Sequence, residues 1–253
     1  MKKLLSLAFC AAAAAAFAAD EITVAEVGVT MIDIPNGQPN TIIAASFKDF
    51  ADGDVSIENL VKTTNLETDA QIIRYAANGT HTAWRLNAEK AWEAISEVTQ
   101  GAEEGNVTTG TSPDPSATTP TVGEGLWIVR GPSATLNAKI ALYGKFIAGR
   151  TSTVVANKWN LLGNAGTASY TFSTGTKGDE LIVVDHGPLK RYQYGDSGWF
   201  YETTETKKPV TANGRDWTKV EKVSYSENPT IAAGIGFWYR SATDMTLKWT
   251  DVD

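Results

Sequence analysis

Two histidines, His81 and His186, are the residues best suited by type to catalysis or metal binding in this 253-residue chain. Asp185 directly precedes His186, and such a pair serves nucleophilic catalysis when a serine completes it. The sequence has no G-x-S-x-G segment, however, and its single cysteine, Cys10, lies in an apolar leader. We therefore expect no catalytic triad, no thiolate or histidine metal site and no cofactor.

Carboxylates offer a second kind of chemistry. The segment 49–54, "DFADGD", is followed by Glu58, and oxygen ligands of this kind bind calcium. Its spacing does not fit the EF-hand loop, so a solvated loop is the favoured interpretation. Asp69 and Asp179 lie 110 positions apart before similar apolar runs. The two aspartates could form a pair of catalytic carboxylates. The simpler interpretation is that each lies in a turn before a strand and accepts backbone hydrogen bonds.

Aromatic side chains are the best candidates for ligand binding, since flat rings stack on sugars and other apolar faces. Trp217 lies in the polar segment "ANGRDWTKVEK" and has no counterpart elsewhere, so we predict it to be a surface ligand contact, with Tyr201 and Tyr225 beside it. Five tryptophans occupy positions that recur in the chain and are predicted to be core or structural residues: Trp84, Trp92, Trp127, Trp199 and Trp238.

The recurrence indicates a duplicated unit. "GEGLWIVRG" at 123–131 is repeated as "GIGFWYRS" at 234–241, an offset of 111 that Thr135-Leu136 and Thr246-Leu247 share. The expected repeat anchors are Gly123, Gly125, Trp127, Asp69, Gly234, Gly236, Trp238 and Asp179. We predict a first unit at 19–131 and a second at 132–253, with a soft boundary because "ATLNAKIALYG" suits either unit.

Short segments rich in Val, Ile, Thr, Tyr and Trp, bounded by Gly, Asn, Asp or Pro, predict an all-β fold of two tandem sandwich or barrel-like units. One segment differs: "NAEKAWEAISEV" has helix formers at helical spacing and predicts a short helix near 88–98. The stretch 99–122 has few large apolar residues and predicts a mobile loop, equivalent to an insertion at 203–233 of the second unit.

The first 18 residues predict a secretory signal peptide, with Lys2 and Lys3, an apolar run and an A-x-A site before Ala19. Lipidation at Cys10 is the alternative, which Phe9 disfavours because lipoprotein sites have a small residue before the cysteine. We expect export to the periplasm, cell surface or medium, without a transmembrane segment. The net charge of −7 argues against nucleic acid as a partner.

The segments "WNLLGNAG", "LIVVD", "RYQY" and "TIAAGIGFWYRS" together resemble a poorly characterised family of exported bacterial proteins and surface-protein modules. Ala165 stands where that family has a proline. The resemblance implies an envelope or surface protein without assigned catalysis. We expect a structural or adhesive protein that contacts other copies, envelope or matrix components. A carbohydrate-binding protein using Trp217 is the alternative, and a carboxylate-dependent hydrolase a remote one.

Overall fold

The computed structural model describes residues 27–50, 53–60, 62–63, 66–76, 80–95, 112–131, 134–184, 189–212 and 215–251, without the side chains of 27, 62–63 and 206–220. The predicted signal peptide and Cys10 lie outside this part of the chain, as do Asp185 and His186. The described chain is nearly all-β, which confirms the predicted class, and no helix in it reaches seven residues.

The described residues contain eighteen strands and one short helix, joined by turns and loops. In chain order they are β1 (Val27–Ile34), β2 (Asn40–Ala44), α1 (Ile57–Leu60), β3 (Lys62–Thr63), β4 (Gln71–Tyr75), β5 (His81–Leu86), β6 (Trp92–Ala94), β7 (Gly125–Val129), β8 (Ala138–Lys145), β9 (Thr151–Val154), β10 (Trp159–Gly163), β11 (Tyr170–Thr171), β12 (Glu180–Val183), β13 (Lys190–Gly195), β14 (Gly198–Ala212), β15 (Arg215–Ser226), β16 (Thr230–Ile231), β17 (Gly236–Arg240) and β18 (Met245–Lys248).

The two largest sheets have the same strand order. The first is β2-β7-β4-β5-β6, and the second is β10-β17-β12-β13-β14 with β15 added at its edge. All their ladders are antiparallel. Counterparts also occupy equivalent rungs: Trp92 pairs with Leu86 in the first sheet, and Trp199 with Tyr194 in the second.

Smaller sheets contribute buried apolar side chains to the same core as the large sheets. The first is β1-β8-β3, and the second is the pair β18-β9. β8 pairs with β1 from Ile34↔Ala138 to Val27↔Lys145, so "ATLNAKIALYG" hydrogen-bonds to the first described strand. In β1, Ile32 and Ile34 point into the core while Val29 and Met31 face solvent, the alternation expected of a strand with one covered face.

One apolar cluster runs through both sheets. It joins Ile72 and Trp84 of the first sheet to Leu181 and Phe237 of the second, and it includes Trp249, which is 2% exposed. Trp84, Trp92 and Trp199 lie in this cluster, in the structural role predicted for them.

A seam joins the two large sheets where β2 and β7 meet β10 and β17. Isolated bridges link Ile43 to Ile235 and Glu124 to Leu162. The amide of Ala44 donates to the carbonyl of Gly234 at 2.8 Å, and the amide of Gly163 donates to the carbonyl of Gly123 at 2.9 Å. The two bridges are equivalent to each other, and so are the two hydrogen bonds. The seam is therefore approximately two-fold symmetric.

Glycine is required on this seam because the backbones approach closely. A Cβ on Gly125 would lie 2.5 Å from the carbonyl oxygen of Leu162, and one on Gly236 would overlap the side chain of Ile42. Gly123 and Gly234 both have positive φ, at 89° and 77°. The repeated Gly-x-Gly segment therefore lies at the junction between the halves.

The helix predicted near 88–98 is wrong for the residues described there. Residues 88–90 form a turn in which Lys90 has a φ of 62°, and Trp92–Ala94 pair with β5. Trp92 is buried by this pairing. Ladder hydrogen bonds and the burial of one indole outweigh the helix propensity of the neighbouring Ala, Glu and Lys residues.

The predicted loop at 99–122 and the predicted insertion at 203–233 differ from each other. Residues 96–111 of the first lie outside the described chain, while 112–122 pack closely, with Ser112 and Thr118 buried. Ser112 Oγ accepts from the amide of Ala83, and the carbonyl of Pro113 accepts from the Trp84 indole. The predicted insertion contains a long hairpin made of β14 and β15.

Candidate functional site

A cleft of about 460 Å³ opens beside the seam. The residues that line it come from the ends of β4, β7, β9 and β10: Arg74, Tyr75, Ala76, Thr121, Val122, Gly123, Glu124, Thr151, Ser152, Thr153, Asn160, Leu161 and Leu162. Strands of both halves therefore build its walls.

An ion pair forms the charged part of the cleft wall. Arg74 Nε donates to Glu124 Oε1 at 2.5 Å, and Nη2 donates to Oε2 at 2.9 Å, the bidentate geometry that suits guanidinium and carboxylate. The amide of Thr121 also donates to Oε2, at 3.1 Å. The side chains of Arg74 and Glu124 remain 32% and 16% exposed. The hydrogen bond to Glu124 raises the pKa of Arg74, so the guanidinium stays charged at neutral pH.

An aromatic group adjoins the cleft through Tyr75. The Tyr75 ring meets Trp238 edge-on, with centroids 4.9 Å apart, and lies 6.1 Å from Trp127. Trp127 and Trp238 pack edge-on at 6.0 Å across the seam. His81 lies 5.6 Å from Tyr75.

Trp127 and Trp238 are half-buried, although they were expected to fill the core. Their strand neighbours Leu126 and Phe237 are fully buried, so the tryptophans point to the opposite face, in a second apolar cluster with Ile42 and Leu161. Trp127 Nε1 and His81 Nε2 are buried atoms without a hydrogen-bond partner in the described structure.

The predicted ligand contacts Tyr201 and Tyr225 lie together on paired strands. Their rings stack 5.3 Å apart, and Tyr192 meets Tyr201 edge-on from the other side. Lys190 Nζ lies 4.7 Å above the Tyr201 ring. Tyr225, 38% exposed, hydrogen-bonds through its hydroxyl to Glu205. Trp217 pairs with Val210 in the β14–β15 hairpin, but its side chain lies outside the described part of the chain.

Asp69 and Asp179 occupy different places. Asp179 is 1% exposed, and its carboxylate accepts from the amides of Thr176 and Ala242 and from the hydroxyl of Tyr239. Asp69 is exposed, has a φ of 69° and takes the position that Gly178 has in the second sheet. The two aspartates are therefore not paired carboxylates.

The acidic segment at 49–54 closes on itself in the described residues. The amide of Gly53 donates to Asp49 Oδ1, and the amide of Asp49 donates to the carbonyl of Gly53. Residues 51 and 52 lie outside the described chain. Among the residues that the structure describes, no three His, Cys, Asp or Glu side chains group closely enough to hold a metal ion.

Comparison with known proteins adds no relative. No family model matches the chain, no curated protein is significantly similar to it, and no solved structure matches it. In the described ranges, no helix has the length and apolar character needed to cross a membrane.

The cleft residues Arg74, Tyr75 and Glu124 were missed from the sequence. One difference between the two Gly-x-Gly segments pointed to them: Glu124 lies between the glycines of the first segment, and Ile235 between those of the second. A charged residue in one segment where the other has an apolar residue indicates different surroundings.

Proposed function

We propose that the protein is an exported structural or adhesive component of the cell envelope or surface. Its contacts with further copies and with envelope or matrix components are made through the β14–β15 hairpin, which we call the arm. The geometry of this arm is the observation that supports the proposal. The predicted signal peptide and the resemblance to exported surface modules agree with it.

The arm extends beyond the sheet that carries it. β13 pairs with β14 only from Gly195↔Gly198 to Tyr192↔Tyr201. From Glu202 to Ala212, β15 is the only described strand that pairs with β14, and the two form a ribbon about 35 Å long at the usual strand rise. An isolated two-stranded ribbon is marginally stable and has two open edges. The unpaired N–H and C=O groups of these edges can hydrogen-bond to a strand of another chain.

Charge on the described base of the arm limits indiscriminate pairing. Lys222 lies 3.9 Å from Glu202 across the two strands, and Glu205 and Glu221 occupy a nearby rung. Charged side chains on open edges oppose non-specific aggregation. A partner must therefore complement these charges, as a specific contact surface requires.

The test removes the arm and leaves the sheet intact. In the variant, an Asn-Gly turn joins Thr203 directly to Val223, which pair across the hairpin. We expect the melting temperature to stay within a few degrees, since the removed segment contributes nothing to the described core. Light scattering is expected to show concentration-dependent assembly of the mature protein, and none for the variant. A mature protein that stays monomeric and does not co-sediment with isolated envelopes contradicts the proposal.

Saccharide binding is a second candidate, favoured by the exposed Tyr225 on edge strand β15. One ring face stacks on Tyr201, and the second large sheet ends at β15, so no described strand lies beside the other face. Binding on a saccharide array that is lost in Tyr225→Ala supports this site.

A further inference from the structure

The cleft has an internal counterpart across the seam. Ile73 pairs with Trp127 in the first sheet as Ile182 pairs with Trp238 in the second. This register makes Val183 the counterpart of Arg74, and the Gly-x-Gly alignment makes Ile235 the counterpart of Glu124. The two members of the ion pair therefore replace two aliphatic residues of the duplicate.

The counterpart position is filled with apolar side chains. Ile235 is 4% exposed, and Val183 packs against the main cluster. A Cβ on Gly234 would meet the side chains of Thr30 and Ile32 of β1, whereas one on Gly123 would meet Ser152 of β9. The scaffold is the same on both sides, but only the Arg74–Glu124 side is polar and lines the described cleft.

We propose that this cleft is a binding site for a neutral saccharide. Sugar hydroxyls donate and accept together, so adjacent hydroxyls can donate to Glu124 and accept from Arg74. Thr121, Thr151 and Thr153 place further hydroxyl-bearing side chains along the walls. Tyr75, held by Trp238 and Trp127, places an aromatic ring beside these polar groups.

Charge selects a neutral ligand over an anion. Among the described residues that line the cleft, Arg74 is the only basic one, and Glu124 already neutralises it through two hydrogen bonds. A phosphate or carboxylate ligand would face the Glu124 carboxylate without a free cation to offset the repulsion. The proposal concerns a different surface from the arm and from Tyr225, and it does not depend on either.

The experiment measures binding of maltotetraose, cellotetraose and chitotetraose to the mature protein on a saccharide array and by calorimetry. The key variant converts the cleft to its counterpart, with Arg74→Val and Glu124→Ile together. We expect at least one tetrasaccharide to bind the wild-type protein and this variant to lose about tenfold or more in affinity. Glu124→Gln, which keeps the shape of the cleft, is expected to weaken the same ligand.

The control removes a different ion pair, whose two residues do not line the cleft. Lys177, in the turn before β12, and Asp196, in the turn between β13 and β14, are exposed and lie 2.9 Å apart, and their double substitution by Ala is expected to leave binding unchanged. Unchanged affinity in both cleft variants overturns the proposal, as does a wild-type protein that binds none of the three probes. Loss of binding in Tyr225→Ala but not in the cleft variants assigns the site to Tyr225 and also overturns it.

Discussion

Asp179 and Asp69 show how one residue type serves two purposes at similar positions in the sequence. Asp179 is buried and accepts from two amides and from the Tyr239 hydroxyl. Burial, and then the hydrogen bond to Asp179, raises the pKa of Tyr239, so the phenol remains a donor. Asp69 lies in solvent 3.7 Å from Arg85. Their surroundings, which sequence spacing does not reveal, decide their roles.

The isosteric pair Asp179→Asn and Asp69→Asn separates these roles. Asp179→Asn replaces an acceptor oxygen by an NH2 group that faces other donors, so we expect it to lower the free energy of unfolding by about 3 kcal/mol. Asp69→Asn is expected to change it by less than about 0.5 kcal/mol, as an exposed substitution does. Urea denaturation followed by circular dichroism measures both. Equal effects would show that the Asp179 hydrogen bonds do not stabilise the fold.

At the scale of elements, the sequence predicted the strands well and their surroundings poorly. Short runs rich in Val, Ile, Tyr and Trp identify β4, β7 and β17, because strand propensity is a local property of the sequence. The predicted helix failed at β6, where pairing with β5 buries Trp92. Which face of a strand meets the core depends on the covering sheet, so Trp127 was expected in the core and lies on the opposite face.

Tryptophan substitutions test this assignment of faces. Trp84 is completely buried and donates to the carbonyl of Pro113, so Trp84→Ala is expected to cost about 3 to 5 kcal/mol of stability. Trp127→Ala removes a half-buried indole whose nitrogen has no partner in the described structure, and a loss of about 1 to 2 kcal/mol is expected. Guanidinium denaturation compares the two. A loss at Trp127 as large as that at Trp84 would contradict the assignment.

At the scale of the whole molecule, two sheets of the same strand order supply the scaffold, and the differences between them supply the candidate sites. At the seam, each Gly-x-Gly segment meets a strand of the other large sheet, with Glu124 bridged to Leu162 of β10 and Ile235 bridged to Ile43 of β2. Repetition of these glycines was visible in the sequence, but their contact across the seam was not, because it depends on how two sheets dock. The cleft was missed for the same reason, since β4 and β7 meet β9 and β10 only after docking.

The central claim is that the seam makes the two sheets one cooperative structure. Hydrogen exchange followed by mass spectrometry tests it directly, with wild-type protein compared with Gly236→Ala. The added methyl group would overlap Ile42 and crowd the carbonyl oxygens of Leu162 and Ile43. We predict faster exchange in β4 and β5 of the first sheet as well as in β12 and β13 of the second. Faster exchange confined to the second sheet, with the first unchanged, would contradict the claim.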